Sequence, residues 1–276
     1  FYRIKFKFYN PPKKNLVIID DENFSTLKTV IESKDYLLIP SRINKIAYIH
    51  ISKEIFFGIF KYLFKTSLKI SYLCSLIEYI GPSSVITFID NSHEFSEIVK
   101  NLNNKKIKFS AIQNSHRSSI NYQKSIFNAD NYYVFGNYEK ETIKKNLNFN
   151  GTIFPVGSLS AAVAKKYLNE NHNNIENNLY DICFISEPHY KFNSDWGHIH
   201  KEKNYNLQDS VKLLANYVLK FCEKNNKKLI FSGKADISSE FKEAEILSYQ
   251  HLIKDYKFEI SFHKKEKFEN YKNLIN

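Results

Sequence analysis

Four clusters of polar residues in this chain each follow directly on a β-branched or aromatic run, and their side-chain types suit the binding of a polar ligand. Val85-Ile86-Thr87-Phe88-Ile89 runs into Asp90-Asn91-Ser92, and Phe109-Ser110-Ala111-Ile112 into Gln113-Asn114-Ser115-His116-Arg117. Tyr132-Tyr133-Val134-Phe135 ends in Gly136-Asn137, and Ile153-Phe154-Pro155-Val156 in Gly157-Ser158. A carboxylate such as Asp90 at a strand end can act as a general base or hold a ligand hydroxyl. Asp90 or Ser92 can equally cap the helix that follows, with Glu94 and Glu97 complementing its N-terminus, and the two roles are compatible. Gln113, Asn114, His116 and Arg117 place four hydrogen-bonding side chains within five positions, and the Arg117 fork suits a carboxylate or phosphate. A solvated surface loop is the competing account of that segment. Gly136 and Gly157 are expected to supply a turn conformation or a close backbone approach. Gly157-Ser158, ahead of a helix, would turn amide N–H groups toward an anion or form a plain strand-to-helix turn.

The elements that must position these clusters are legible from the apolar pattern. Strands are expected at 15–20, 36–40, 85–89, 109–112, 132–135 and 153–156, with helices near 22–32, 53–65, 71–79, 94–102, 138–146 and 160–168. Gly81-Pro82 stops the third of these helices. Continuous apolar strands separated by helix-length amphipathic segments argue for a parallel α/β sheet buried on both faces, whose ligands bind where the strands end. Residues 169–178 are polar and aperiodic and read as a linker. A second run follows, with strands at 180–186, 228–232 and 258–262 and helices near 207–223 and 239–253. Ser186-Glu187-Pro188-His189 and Ser232-Gly233-Lys234 would end its first two strands. The expected fold is α/β, with two Rossmann-like lobes facing each other, residues 1–170 and 171–276, the second incomplete with about three strands.

Composition narrows the field. The chain has 276 residues, enough for two ordinary domains, and 43% hydrophobic with 25% charged residues exclude a disordered chain. No apolar run approaches the roughly 20 residues of a membrane span. Cys74, Cys183 and Cys222 lie far apart within apolar runs, which fits neither a disulfide framework nor a zinc site and points to a reducing compartment. His198 and His200 flank Ile199 without an evident third metal ligand. The net charge of +11 comes almost wholly from lysine, with Arg3, Arg42 and Arg117 the only arginines. Dispersed lysine argues against a nucleic-acid reader and favours an anionic ligand or an anionic membrane surface. The segment from Lys53 to Lys69 mixes lysines with Ile55, Phe56, Phe57, Phe60, Leu63 and Phe64, which suits either a helix on an anionic membrane or one buried against the sheet. No methionine is present and the last residues read as a helix in progress, so the chain reads as an internal fragment of a longer open reading frame.

Ile86-Thr87-Phe88-Ile89-Asp90-Asn91-Ser92 with Phe95, Ala111-Ile112-Gln113-Asn114 with Arg117, Tyr133-Val134-Phe135-Gly136 with Tyr138-Glu139-Lys140-Glu141, and Pro155-Val156-Gly157-Ser158-Leu159, in that order, resemble the bacterial surface carbohydrate biosynthesis proteins. These are glycosyltransferase-like proteins of the two-lobed GT-B type, distantly similar to retaining Kdo transferases and CDP-glycerol glycerophosphotransferases. Ser115 stands where the family pattern has glycine. The resemblance implies a cytoplasmic, metal-independent enzyme of surface polysaccharide assembly, with no cofactor beyond a nucleotide-sugar donor. Its acceptor would be a glycan or lipid-linked molecule, reached at or near the inner membrane, and nucleic acid is not a partner. Asp90 is the favoured base or acceptor anchor, with Asn91, Ser92, Gln113, Asn114, Arg117, Gly136, Gly157 and Ser158 binding substrate. In the second lobe the resemblance gives Ser186, Ser232, Gly233 and Lys234 to the nucleotide, with Glu187 or His189 at a ribose or sugar hydroxyl. A further donor-lobe segment is implied beyond Asn276. Asp20-Asp21 is not the Asp-X-Asp metal motif of the other glycosyltransferase architecture and is expected to cap a helix. A glycerophosphotransferase or a sugar-nucleotide epimerase fits the same lobes, and a two-lobed solute-binding protein would also place a ligand between parallel sheets.

Overall fold

A computed structural model describes residues 5–21, 23–31, 35–41, 48–103, 106–117, 127–147, 149–170, 180–186, 207–236, 241–250, 252 and 260–263. The chain divides into two compact units, Phe1–Lys165 and Lys166–Asn276.

The first unit holds, in chain order, β1 (Lys5–Lys7), β2 (Leu16–Ile19), α1 (Phe24–Lys28), β3 (Tyr36–Ile39), β4 (Tyr48–His50), α2 (Lys53–Leu63), α3 (Leu68–Ile80), β5 (Ser84–Thr87), α4 (His93–Leu102), β6 (Lys108–Ile112), β7 (Asn131–Val134), α5 (Asn137–Asn146), β8 (Thr152–Pro155) and the start of α6 (Leu159–Glu170). Six strands form one all-parallel sheet in the order β3-β2-β5-β6-β7-β8. This is the doubly wound, Rossmann-like arrangement, with helices on both faces. Strand β2 shows why: Val17 and Ile19 enter the main core with Leu73, Ile77 and Phe95, while Ile18, pointing the other way, packs with Leu27 and Phe88. A strand apolar at every position is stable only where both of its faces are covered.

Helix ends follow local chemistry. Ser52, Ser67 and Ser92 cap α2, α3 and α4, each accepting a backbone N–H three residues on, and Gly81 ends α3 with a left-handed φ of 63°. Helix α3 begins three residues earlier than its apolar pattern suggests because Ser67 caps it. The sequence missed β1 and β4, a separate parallel pair extended by the Ile51 N–H donating to the Lys7 carbonyl at 2.8 Å.

Helix α2 is neither wholly buried nor wholly exposed. It buries Ile55 and Tyr62 and leaves Phe56, Phe57 and Phe60 exposed. Its contact with α3 is close, since a Cβ on Gly58 would lie 2.1 Å from the Ser75 hydroxyl, which itself donates to the Ile55 carbonyl. At one flank Glu78 accepts from the Tyr62 hydroxyl at 2.6 Å and from Lys61 at 2.8 Å. Burial pushes the Cys74 thiol up to about 12, with Glu78 and Glu97 adding to the effect. Cys74, Cys183 and Cys222 are free thiols.

In the second unit β9 (Ile182–Ile185), α7 (Leu207–Lys224), β10 (Leu229–Asp236), α8 (Phe241–Ser248) and β11 (Ile260–His263) give a three-stranded parallel sheet, ordered β11-β10-β9. Phe184, Ala215, Leu219, Phe231, Tyr249 and Leu252 form its core. Of the expected linker, Asn169 and Glu170 belong to α6, and 171–179 lie outside the described residues. Among the described residues no helix is long and apolar enough to cross a membrane.

Candidate functional site

The chain leaves β2 for β3 on one side and returns to β5 on the other, so the strand order reverses between β2 and β5. Crevices in open parallel sheets form at such a reversal, beyond the strands' carboxyl ends. Asp20, directly after β2, is buried there with a left-handed φ of 77°, and its N–H donates to the Ile39 carbonyl at 2.9 Å. Such a backbone costs an L-residue about 1 kcal/mol or more, and aspartate tolerates it better than most. The expected capping role for Asp20-Asp21 is not observed: Asn23 is the N-cap of α1, with no side-chain hydrogen bond.

On the other side of the reversal, β5 stops at Thr87, two residues short of the apolar run, because the Thr87 hydroxyl accepts the Ile89 N–H at 3.1 Å. A side chain that bonds its own backbone diverts the chain from the ladder. Asp90 is thereby placed inside the protein, its side chain 0% exposed. Arg117 donates to Oδ1 at 2.6 Å through its Nη2 and to Oδ2 at 3.4 Å through its Nε. The Tyr132 hydroxyl donates to Oδ2 at 2.7 Å. A buried carboxylate is tolerable only with such partners, and a two-point guanidinium contact is among the strongest. Arg117 Nη2 also donates to Asn114 Oδ1 at 2.9 Å, which orients the Asn114 NH2 as the donor left for a ligand. Sequence reasoning singled out Asp90, Asn114 and Arg117 separately; the structure brings them together. It missed Tyr132, although a fully buried tyrosine hydroxyl signals that a polar partner is near.

Gln113, one residue past β6, is an internal tie. Its Oε1 accepts the Phe135 N–H at 2.9 Å and its Nε2 donates to the Ser115 carbonyl at 3.0 Å. Ser115 does not have a left-handed backbone, so this turn does not require glycine. His116 Nδ1 lies 3.2 Å from Glu139 Oε1, and its ring stacks on Tyr138 at 6.2 Å between centroids. Tyr138 is exposed, so together these rings offer an aromatic face beside the Arg117 loop. Sequence reasoning gave Tyr138 and Glu139 no role of their own; their position in the first turn of α5, soon after a strand end, was the available signal.

Asn91 is exposed, while the Ser92 hydroxyl is taken by the Phe95 N–H at 3.1 Å as the cap of α4. Gly136 is extended, with φ −170°, and supplies no special turn, contrary to expectation. Gly157 does, with φ +93°. Ser158 accepts the Ala161 N–H at 3.3 Å at the start of α6.

In the second unit Ser186 is fully buried at the end of β9, and its hydroxyl donates to the Tyr249 hydroxyl at 3.2 Å. Ser232, Gly233 and Lys234 do not follow β10 as expected but lie within it, because the strand continues to Asp236 through an irregular pairing with β11. A Cβ on Gly233 would meet the Phe262 ring at 2.5 Å, so glycine here serves close packing. Glu187, His189, His198 and His200 lie outside the described residues. Among the described residues no three His, Cys, Asp or Glu side chains group to hold a metal ion.

Fold and strand ends together define a Rossmann-like α/β protein whose larger sheet carries a charged, aromatic-flanked polar cluster at its carboxyl edge. The sequence matches no family model, and no curated protein matches it.

Proposed function

We propose that the chain is a glycosyltransferase-like enzyme of bacterial surface polysaccharide assembly, built on two GT-B-like lobes. Residues 1–170 bind a glycan or lipid-linked acceptor and residues 171–276 contribute to binding a nucleotide-sugar. One observation supports this above the others: Asp90, Asn114 and Arg117, from loops after two adjacent strands, converge on one network beside the exposed His116–Tyr138 stack. Sugars present hydroxyls around an apolar ring face, and amide donors beside aromatic rings complement both features.

In this reading Asp90 positions the acceptor-binding Arg117 and Asn114 rather than acting as the base, because its side chain is fully buried and both its oxygens face Arg117 and Tyr132. It fixes Arg117, and Arg117 fixes Asn114, before substrate arrives. A preorganised group of this kind spends little ordering free energy when the acceptor binds.

A thermal-shift panel of CMP, CDP, UDP and GDP, with and without EDTA, tests the proposal on the full chain. Selective stabilisation by one nucleotide, unchanged by EDTA, is the expected result and names the donor class. No response to any of the four would overturn it in favour of a binding protein.

A further inference from the structure

The outward face of α2 is made of large apolar side chains. Phe56, Phe57, Phe60, Leu63 and Phe64 are all exposed, Phe57 to 69% and Phe64 to 92%, and Leu68 follows at the start of α3. At 100° per residue these α2 positions lie opposite Ile55, Gly58, Ile59 and Tyr62, the side turned toward α3. The Gly58–Ser75 approach and the Tyr62–Glu78 bond fix that rotation, so the phenylalanines cannot turn inward without breaking the α2–α3 contact.

Charge selects the occupant of this face. Residues 53–65 contain Lys53, Lys61 and Lys65 against Glu54, with Lys61 also paired to Glu78, and the whole chain carries +11. A second copy would bring like charge against like. An anionic lipid surface would attract the lysines and receive the rings. Eleven residues span about 16 Å, far short of a roughly 30 Å hydrocarbon core, so the helix lies on a membrane and does not cross it.

The patch is also placed to matter. Helix α3 ends just before β5 begins, so its thirteen residues run back from the amino edge of the sheet toward the carboxyl edge. Lys69, in its first turn, bonds the carbonyl of Ser41 beyond β3 and pairs with Glu94 at 2.5 Å in the first turn of α4. The turn from Phe64 to Leu68 therefore stands at the same edge as Asp90 and Arg117.

We infer that α2 and the turn after it form a docking surface for an anionic phospholipid membrane, which brings that turn, at the carboxyl edge of the larger sheet, against the lipid. Docking stands on exposure and charge; only the identity of a lipid-borne acceptor rests on the transferase reading.

Co-sedimentation of the full chain with phosphatidylcholine vesicles, with and without phosphatidylglycerol, tests it. The expected result is salt-sensitive binding to the phosphatidylglycerol vesicles that falls about tenfold or more in the Phe57→Ser/Phe64→Ser double variant, whose thermal unfolding matches the parent because both rings already face solvent. Absence of vesicle binding, equal binding by the double variant, or equal binding to both lipid mixtures would overturn the proposal. Self-association lost in the double variant, without vesicle binding, would assign the face to a second copy instead. The assay needs no turnover, so its failure leaves the transferase reading standing, and a silent nucleotide panel leaves this one standing.

Discussion

The two parallel sheets of this chain both end in polar residues, but they use them differently. At the carboxyl edge of the six-stranded sheet a buried carboxylate, a guanidinium and an amide from the ends of β5 and β6 are tied into one network with a phenol from within β7. At the three-stranded sheet Ser186 is spent on Tyr249, Ser232 is part of the ladder, and Gly233, in the irregular stretch after it, lies hard against Phe262. A polar residue at a strand end becomes part of a site only when burial raises the cost of its charge and neighbours are placed to offset it. Serine and glycine carry no such cost and are readily absorbed by packing.

Removing the hub should produce the largest effect. Asp90→Ala removes the carboxylate paired with the Arg117 guanidinium, only 18% exposed, and is expected to cost about 3 kcal/mol in denaturant unfolding. Gly233→Ala tests the packing account of the smaller sheet. A methyl group 2.5 Å from the Phe262 ring should destabilise the second unit by about 2 kcal/mol, and a neutral result would return Gly233 to ligand binding.

The two strand-end glycines offer a finer contrast. Gly157→Ala should cost about 1 kcal/mol for its positive φ, while Gly136→Ala, at an extended backbone with only the Glu139 carboxylate near, should stay within about 0.5 kcal/mol. Equal effects in thermal unfolding would break the distinction. The smallest effect belongs to Asp181, whose carboxyl is held below its ordinary value by the Lys228 N–H and then by Lys227. A lowered folded value means that its contribution is complete above the unfolded carboxylate value and fades as pH falls through the folded one. Asp181→Asn should therefore matter at neutral pH and converge with the parent under acid, as unfolding curves across that range would show.

Much of the larger sheet was legible because Val17-Ile18-Ile19 and its neighbours are apolar at every position, which only a doubly covered strand tolerates. The pair β1 and β4 was not, since three residues such as Lys5-Phe6-Lys7 carry too little periodicity to register. Asp90, Asn114 and Arg117 were visible as residue types at strand ends. Their union was not, because it depends on Thr87 turning the chain early and on Tyr132 reaching past β6 from β7. Asp20 was misassigned for a related reason: nothing in Ile19-Asp20-Asp21 announces a left-handed backbone. Strand existence is a local property, whereas the hydrogen-bond partners of a buried charge are set by tertiary neighbours.

A double-mutant cycle between Asp90→Asn and Arg117→Gln, followed by denaturant unfolding, tests the preorganised network most directly. The bond lengths and burial predict a coupling energy of about 1–3 kcal/mol, with each single variant costing more than its share of the double. Additivity within about 0.5 kcal/mol would mean that Asp90 and Arg117 act independently, and would contradict the claim that this edge is a constructed site.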